Sequence, residues 1–198
     1  LLRIMAGLLG VDEGEMRWRG EVFDFQDVRQ RRELMHLPDF PLFYEELSLL
    51  KNLALHLHLY EKTGEEAEAR GVDLLRRFHL LPHARKPAGS LSRGQRYKLA
   101  LACWGAVRPA LGLFDEPFAA GMDHQGLQEM RRLLRAETQR GLSVIYTTQF
   151  VDFALEFSDR VVLIAEEGLY FVGSAAEFRE RVEAGDAVLA PFREGGEA

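Results

Sequence analysis

The sequence predicts an α/β fold in which a mostly parallel sheet is covered by helices, with a helical subdomain set into it. Strand-like and helix-like segments alternate from residue 109 onward, and the stretch 47–108 reads as helix almost throughout. Alternation of this kind is typical of parallel sheets, because each crossover places a helix over the sheet. The 198 residues are enough for one domain with a subdomain. We therefore divide the chain into 1–46, 47–108 and 109–198.

The first part predicts a helix, a hairpin and a strand. Residues 1–9 (LLRIMAGLL) are apolar on all but one side, which indicates a buried helix ended by Gly10. Residues 14–25 alternate between polar and apolar around Gly20, which indicates a hairpin. Leu34–Leu37 is a short strand that Pro38 ends, because proline cannot donate to a ladder.

The middle part predicts helices. Two of them cover 47–59 and 65–80, and a third covers 93–108. The third helix has large side chains at helical spacing. They are Tyr97, Leu101, Trp104 and Arg108.

The last part alternates strands and helices. The elements in order are a buried strand (110–117), a helix (127–139), a second buried strand (142–149), a helix (150–158), two strands joined by a turn at Glu167-Gly168 (159–174) and a final helix (174–184).

Composition excludes several classes of protein. The chain has 25 Lys and Arg against 31 Asp and Glu, and this net charge of −6 argues against a nucleic-acid partner. The one cysteine, Cys103, excludes a disulfide within the chain and is expected to be buried and inert. No apolar run has the roughly 18 to 20 residues that span a bilayer.

Two acids stand at the end of the first buried strand. The letters LGLFDEP deliver Asp115 and Glu116 to the carboxyl edge of the predicted sheet, which is where open α/β sheets bind ligands. Asp115 could hold Mg²⁺, directly or through water, and Glu116 could orient or deprotonate an attacking water. The alternative is a solvated turn closed by Pro117.

A small polar loop opens the long helix of the middle part. In SLSRGQ (90–95), Gly94 would let a ligand approach the backbone, and Ser92 with the free amides of the helix start would form an anion site. The alternative is a serine N-cap beside a turn glycine, which is a common helix start.

Taken in order, these motifs resemble those of the ATP-binding-cassette (ABC) ATPases. LSRGQ (91–95) resembles the signature, usually written LSGGQ, and LGLFDEP (111–117) resembles the Walker B strand with its catalytic glutamate. AAGMD (119–123) resembles the D-loop, and LSVIYTTQ (142–149) resembles the strand before the switch histidine. The resemblance covers essentially the whole chain.

The resemblance implies an ABC-type P-loop NTPase fold. Residues 1–46 and 109–198 would be the two parts of a RecA-like core, and 47–108 the helical subdomain that carries the signature. ATP and Mg²⁺ would lie between two ABC subunits. For the chain's own nucleotide, Asp115 and Asp39 would contact Mg²⁺, and Glu116 and Gln149 would be catalytic. The residues offered to ATP on the second subunit are Ser92, Arg93, Gly94, Gln95 and Asp123.

The sequence departs from the family pattern in three places. It contains no G-x-x-x-x-G-K-[ST] loop, and LLRIMAGLL resembles the helix that follows that loop. The chain was cut there, its start was misplaced, or the loop is lost; as given, it is expected to bind ATP weakly or not at all. Asp39 stands where the family has glutamine, and Gln149 where it has the switch histidine. Glutamine can donate to a phosphate but cannot carry a proton as imidazole does.

The resemblance leaves three functions open. The first is an ATP-binding subunit that works as a homo- or heterodimer, peripheral on the cytoplasmic face of the membrane, and moves separate permease subunits. Phe40, Phe43 and Tyr44 would then dock the permease, although they could equally pack inside a loop. The second is a catalytically deficient subunit that lends its signature to a competent partner, although the retained Glu116 argues for a working site. The third is an ABC ATPase outside transport.

Overall fold

The computed structural model describes residues 1–165, 168–186 and 189. The chain divides into two compact units, Leu1–Thr147 and Thr148–Ala198. Parallel strands and covering helices confirm the predicted α/β class. The three-part division at residues 46 and 108 stays a prediction.

The first unit contains a parallel sheet of three strands. They are β3 (Leu34–Leu37), β4 (Leu111–Phe114) and β5 (Ser143–Tyr146), in the order β3-β4-β5. Every residue of β4 is buried, as expected for a central parallel strand whose two faces are covered. Because the strands are parallel, their carboxyl ends lie at one edge, where Asp39, Asp115 and Thr147 follow closely.

The strand β5 is more exposed than predicted. The sequence SVIY reads as a buried strand, yet Ser143 and Ile145 are exposed, the latter at 41%. Among the described residues β5 pairs with β4 alone, so it forms an edge of the sheet. Sequence hydrophobicity cannot report which strand lies at an edge, because that depends on strand order.

Helices and a small hairpin complete the first unit. The helices are α1 (Leu2–Met5), α2 (Val28–Arg31), α3 (Leu49–Leu59), α4 (Glu65–Arg77), α5 (Arg93–Val107) and α6 (His124–Gln139). The predicted hairpin forms from β1 (Arg17–Trp18) and β2 (Glu21–Val22), with Gly20 at a positive φ of 89° in its turn. In the described part of the chain, no helix combines the length and the apolar character that a membrane crossing requires.

The predicted buried helix over 1–9 was wrong in its length. The helix ends at Met5, and only Leu2 of its residues is buried, whereas Leu8 and Leu9 are exposed. The chain turns at Gly7, which has φ +69° and would bring a Cβ within 2.5 Å of the Phe25 ring. A left-handed residue ends an α-helix, so the apolar residues after it leave the core.

The helices of the middle part are confirmed within a few residues. Serine side chains cap α3 and α5 at Ser48 and Ser92. Nearly every residue of α5 is buried, including Cys103, whose thiol pKa is raised by burial. The α5 residue Trp104 packs edge-on against Phe114 of β4 at 5.2 Å between ring centroids.

The second unit is a hairpin with two helices. Its elements are α7 (Val151–Phe157), β6 (Arg160–Ala165), β7 (Gly168–Ser174) and α8 (Ala175–Glu183). The two strands are antiparallel, with a register shift at Leu163/Ile164, so the predicted parallel pairing applies to the first unit. Of the predicted turn Glu167-Gly168, Glu167 lies outside the described residues.

Candidate functional site

A threonine hydroxyl fixes the two acids at the carboxyl edge of the sheet. The Thr147 hydroxyl donates to Asp115 Oδ1 at 2.7 Å and accepts from the Glu116 amide at 3.1 Å. Strand pairing fixes the backbone here as well, because the Asp115 amide donates to the Leu37 carbonyl at 2.8 Å. Both carboxylates are half-buried. The sequence singled out the acids but missed Thr147, although its position at the end of the neighbouring strand was a usable signal.

The backbone of Glu116 is strained. Its φ is +45°, in the left-handed region that side chains other than glycine rarely adopt. Such a conformation costs on the order of 1–3 kcal/mol and persists only where the surroundings impose it. Here the amide is bonded to Thr147, the carbonyl accepts from the Ala119 amide at 3.0 Å, and Pro117 is buried. The backbone conformation of Glu116 is therefore set by its neighbours.

Two buried polar atoms interact electrostatically with these acids. The Tyr97 hydroxyl and His36 Nε2 are buried without a hydrogen-bond partner among the described residues. Burial, and after it the charges of Asp115, Asp39 and Glu116, raises the pKa of the Tyr97 phenol, which therefore stays a donor. Burial lowers the pKa of His36, against the opposing effect of Asp115.

Asp39 and the signature residue Arg93 lie next to each other. Asp39 follows β3 and is exposed, and Arg93 Nη2 lies 3.7 Å from its Oδ2. The sequence singled out both residues but did not predict their contact. An ion pair with both partners about half exposed contributes little to stability.

The signature loop forms a reciprocal helix cap. The Gln95 amide donates to Ser92 Oγ at 3.3 Å, and the Ser92 amide donates to Gln95 Oε1 at 3.1 Å. The serine N-cap considered above therefore exists. It does not exclude an anion site, because the Ser92 hydroxyl accepts in this cap and keeps its own proton to donate. Ser92 and Arg93 are exposed, whereas Gly94 is buried.

Gly94 is in close contact with the segment 119–123. A Cβ at this position would lie 2.2 Å from the Gly121 carbonyl oxygen and 3.1 Å from the Met122 amide. The sequence predicted that Gly94 lets a ligand approach. Packing within the chain gives a second reason for a glycine here.

Asp123 already has two partners in its own chain. Its Oδ1 caps α6 by accepting from the Gly126 amide at 2.7 Å, and its Oδ2 accepts from Lys98 Nζ at 2.7 Å. The Lys98 side chain is buried, and its hydrogen bond is the main cause that lowers the pKa of Asp123. A contact of Asp123 with ATP on another subunit stays a prediction.

Gln149 belongs to the second unit, two residues after the first unit ends. Its side chain is exposed. The preceding Thr148 hydroxyl accepts from the Phe150 amide at 3.1 Å, just before α7 begins. The catalytic role of Gln149 stays a prediction.

The carboxylates of Asp115 and Glu116 suit Mg²⁺, a cation that nucleotide phosphates bind as well. No cluster of three or more His, Cys, Asp or Glu able to hold a metal exists among residues 1–165, 168–186 and 189. Mg²⁺ does not need one, since it keeps several waters and uses one or two carboxylates together with nucleotide phosphates. Asp115 and Glu116 at the sheet edge fit that requirement.

Comparison with known proteins identifies the family. The family model described as "ABC transporter" matches residues 1–119, and the chain belongs to that family as an ATP-binding domain. The matched range includes β3, the signature and the acids at the end of β4. Asp123 and Gln149 lie beyond it.

Named relatives are ATP-binding proteins of ABC transporters. The sulfate/thiosulfate import ATP-binding protein CysA of Bordetella pertussis is 36% identical over 186 residues, which are 91% of this chain and 52% of that protein. The ABC-type transporter ATP-binding protein EcsA of Bacillus subtilis is 26% identical over 188 residues, which are 95% of this chain and 76% of that protein. The chain spans about half the length of the CysA relatives.

Solved structures of ABC subunits share the fold. An ATP-binding subunit of an ABC transporter aligns with a TM-score of 0.86 at 23% identity, covering 96% of this chain and 79% of that one. The cbiO1 protein of Clostridium perfringens, described as part of the transporter complex cbiONQ, aligns with a TM-score of 0.70 at 20% identity, covering 96% and 80%.

Proposed function

We propose that this chain is the ATP-binding subunit of an ABC transporter, peripheral on the cytoplasmic face of the membrane, where it drives separate permease subunits. Family membership supports the proposal. The observation that carries it is the pair Asp115 and Glu116, held at the carboxyl edge of the sheet by the Thr147 hydroxyl. A solvated turn would not need such a strained and specifically bonded backbone.

Each acid has a chemical role in this proposal. Asp115 would hold Mg²⁺ together with the nucleotide phosphates, and Asp39 would be a second contact at the same edge. Bound Mg²⁺ and ATP supply the transferable phosphoryl group and the positive charge that stabilises its transfer. Glu116 orients the attacking water and accepts its proton, and the Gln149 amide donates to the terminal phosphate.

The start of α5 would serve the nucleotide of a second ABC subunit. Ser92 and Arg93 are exposed at the N-terminus of this 15-residue helix, where free amides and the helix dipole favour an anion. Arg93 adds charge-assisted donors, and Gln95 holds the Ser92 cap in place. The Asp123 side chain is 63% exposed and its carboxylate has acceptor positions beyond its two present hydrogen bonds, so it could reach the other subunit while keeping both.

An exposed apolar segment supports docking of a permease. Phe40 and Tyr44 are 46% and 62% exposed, and Leu42 between them is 79% exposed. Phe43 instead packs on the His56 ring at 5.6 Å between centroids. Of the three predicted docking residues, Phe40 and Tyr44 are therefore the ones that a partner would touch directly.

A second candidate is a subunit that lends its signature to a competent partner. The intact Ser92–Gln95 cap favours it, because this half of a shared site is formed while Asp39 and Gln149 differ from the family pattern. Neither candidate rests on the absence of a G-x-x-x-x-G-K-[ST] loop from residues 1–198, the loop that supplies the amides and the lysine for the phosphates. Residues 1–198 alone are expected to bind ATP weakly and to be inactive.

The test compares this chain with one extended by the residues encoded immediately upstream of Leu1. The first candidate predicts that the extended chain binds ATP with Mg²⁺ and hydrolyses it. Glu116→Gln should then abolish turnover and trap bound ATP in a dimer, measured by phosphate release and by size exclusion. The exposed Glu68→Gln is the matched control and should behave as wild type. An extended chain that binds no ATP would favour the second candidate, and unchanged turnover in Glu116→Gln would remove Glu116 from its role.

A further inference from the structure

A buried arginine joins the start of α5 to the segment 39–47, here called the docking segment. The Arg96 side chain is only 6% exposed, and its Nη1 and Nη2 donate to the two carboxylate oxygens of Glu45 at 2.8 and 3.1 Å. The same guanidinium lies over the Phe40 ring, 5.0 Å from its centroid. One side chain of α5 therefore holds two residues of the docking segment, 51 positions away in the case of Glu45.

The backbone around this contact is also bonded. The Gly89 amide donates to the Glu45 carbonyl at 3.0 Å, and the Ala88 amide donates to the Leu47 carbonyl at 2.9 Å. The Glu45 side chain is 51% exposed, and a Cβ on Gly89 would lie 2.8 Å from Glu45 Oε2, so the glycine leaves space for the carboxylate beside Arg96. These bonds hold Ala88 and Gly89, shortly before the signature loop, against the docking segment.

Charge makes the Arg96 contact hard to break. Among the described residues Arg96 Nε has no hydrogen-bond partner, so Glu45 and Phe40 provide the neutralising interactions. A buried charge that loses its partner is strongly unfavourable. The bond acts on Glu45 as well, because it is the main cause that lowers the pKa of that carboxyl.

We propose that Arg96 is a positioning residue that transmits a displacement of the docking segment to the signature loop 92–95. Its side chain is bonded to Glu45 and Phe40, and its amide donates to the Ser92 carbonyl at 2.8 Å. When the segment moves, the first turn of α5 either moves with it or exposes an unpaired buried charge. That a permease subunit moves the docking segment rests on the proposed function. The link through Arg96 requires neither ATP nor a permease.

The test measures amide hydrogen exchange in the 198-residue protein without any ligand. Phe40→Ala removes the ring over Arg96, and Leu42→Ala is the matched control in the same segment. Phe40→Ala should speed exchange of the Gln95 and Arg96 amides roughly fivefold or more, whereas Leu42→Ala should leave them within error. In an Arg96→Met background, Phe40→Ala should have no further effect on these amides.

Equal effects of Phe40→Ala and Leu42→Ala, or a Phe40→Ala effect that survives in Arg96→Met, would overturn the proposal. If Arg96→Met does not fold, as judged by circular dichroism, Glu45→Gln takes its place. It keeps the shape of the side chain, removes the charge that pairs with Arg96 and should by itself speed exchange of the Gln95 and Arg96 amides, whereas the exposed Glu46→Gln in the same segment should leave them within error. Equal effects of these two variants would overturn the proposal. Failure of this link would leave the nucleotide experiment unaffected, and failure of nucleotide binding would leave the exchange pattern unchanged.

Discussion

At the scale of single residues, one hydroxyl organises the candidate site. Thr147 satisfies the amide of Glu116 and donates to Asp115, so it fixes the backbone of one acid and the side chain of the other. Acid residues at a strand end are visible in a sequence. The bond that orients them comes from a residue 32 positions away from Asp115.

Thr147→Val tests this arrangement, because valine has nearly the same shape without the hydroxyl. The change leaves the Glu116 amide unsatisfied and should lower the free energy of unfolding by about 1–2 kcal/mol, measured by urea denaturation. Thr148→Val is the matched control, since the Thr148 hydroxyl accepts from the Phe150 amide in the second unit. If Thr147→Val and Thr148→Val had the same free energy of unfolding, the Thr147 hydroxyl would stabilise its site no more than the Thr148 hydroxyl stabilises its own.

At the scale of elements, α5 depends on a close contact with the segment 119–123. Gly94 allows the backbone of Gly121 to approach, and Lys98, one turn further along, pairs with Asp123. Asp123 also caps α6, so the signature helix and the start of the next helix share one polar contact. The signature and the D-loop-like segment are thus parts of one packed arrangement within the chain.

Gly94→Ala should disturb that contact. The added Cβ would lie 2.2 Å from the Gly121 carbonyl oxygen, which is backbone and cannot rotate away. Overpacking of this kind costs about 1–3 kcal/mol. Thermal and urea unfolding should show a loss in that range. Gly10→Ala is the control, because a Cβ there would meet nothing within 4 Å, and its effect should stay within about 0.5 kcal/mol. A Gly94→Ala variant as stable as wild type would contradict the packing.

At the scale of the whole molecule, stability should depend on alkaline pH through Tyr60. Its hydroxyl donates to the Leu34 carbonyl at 3.1 Å and so joins the end of α3 to β3. Burial raises the pKa of Tyr60 from 10.0 to about 12. The unfolded chain therefore loses this proton first. The contribution to stability is complete below pH 10.0 and is lost as the pH rises towards about 12.

Tyr60→Phe isolates this contribution. The difference in free energy of unfolding between wild type and Tyr60→Phe should shrink by about 2–3 kcal/mol from the lower to the upper end of this pH range. Denaturant titrations at several pH values would measure it. The exposed Tyr44→Phe is the control and should follow wild type throughout. A difference that does not change with pH would mean that Tyr60 titrates alike in both states.

The sequence by itself determined the local elements and the family. The strand Leu34–Leu37 and the start of α5 at Arg93 were predicted correctly, because Pro38 and the Ser92 cap are signals within a few residues of the elements they bound. The motif order was sufficient for the family, which the match over residues 1–119 confirms.

Only the tertiary structure decided how these parts meet. The first helix ends at Met5 because the chain turns at Gly7 towards Phe25, and β5 is exposed because it lies at an edge of the three-stranded sheet. The contacts of Arg96 with Glu45 and of Thr147 with Asp115 join residues 51 and 32 positions apart. Periodicity and propensity report interactions along a few turns of chain. Contacts across such separations exist only once the sheet and helices have packed.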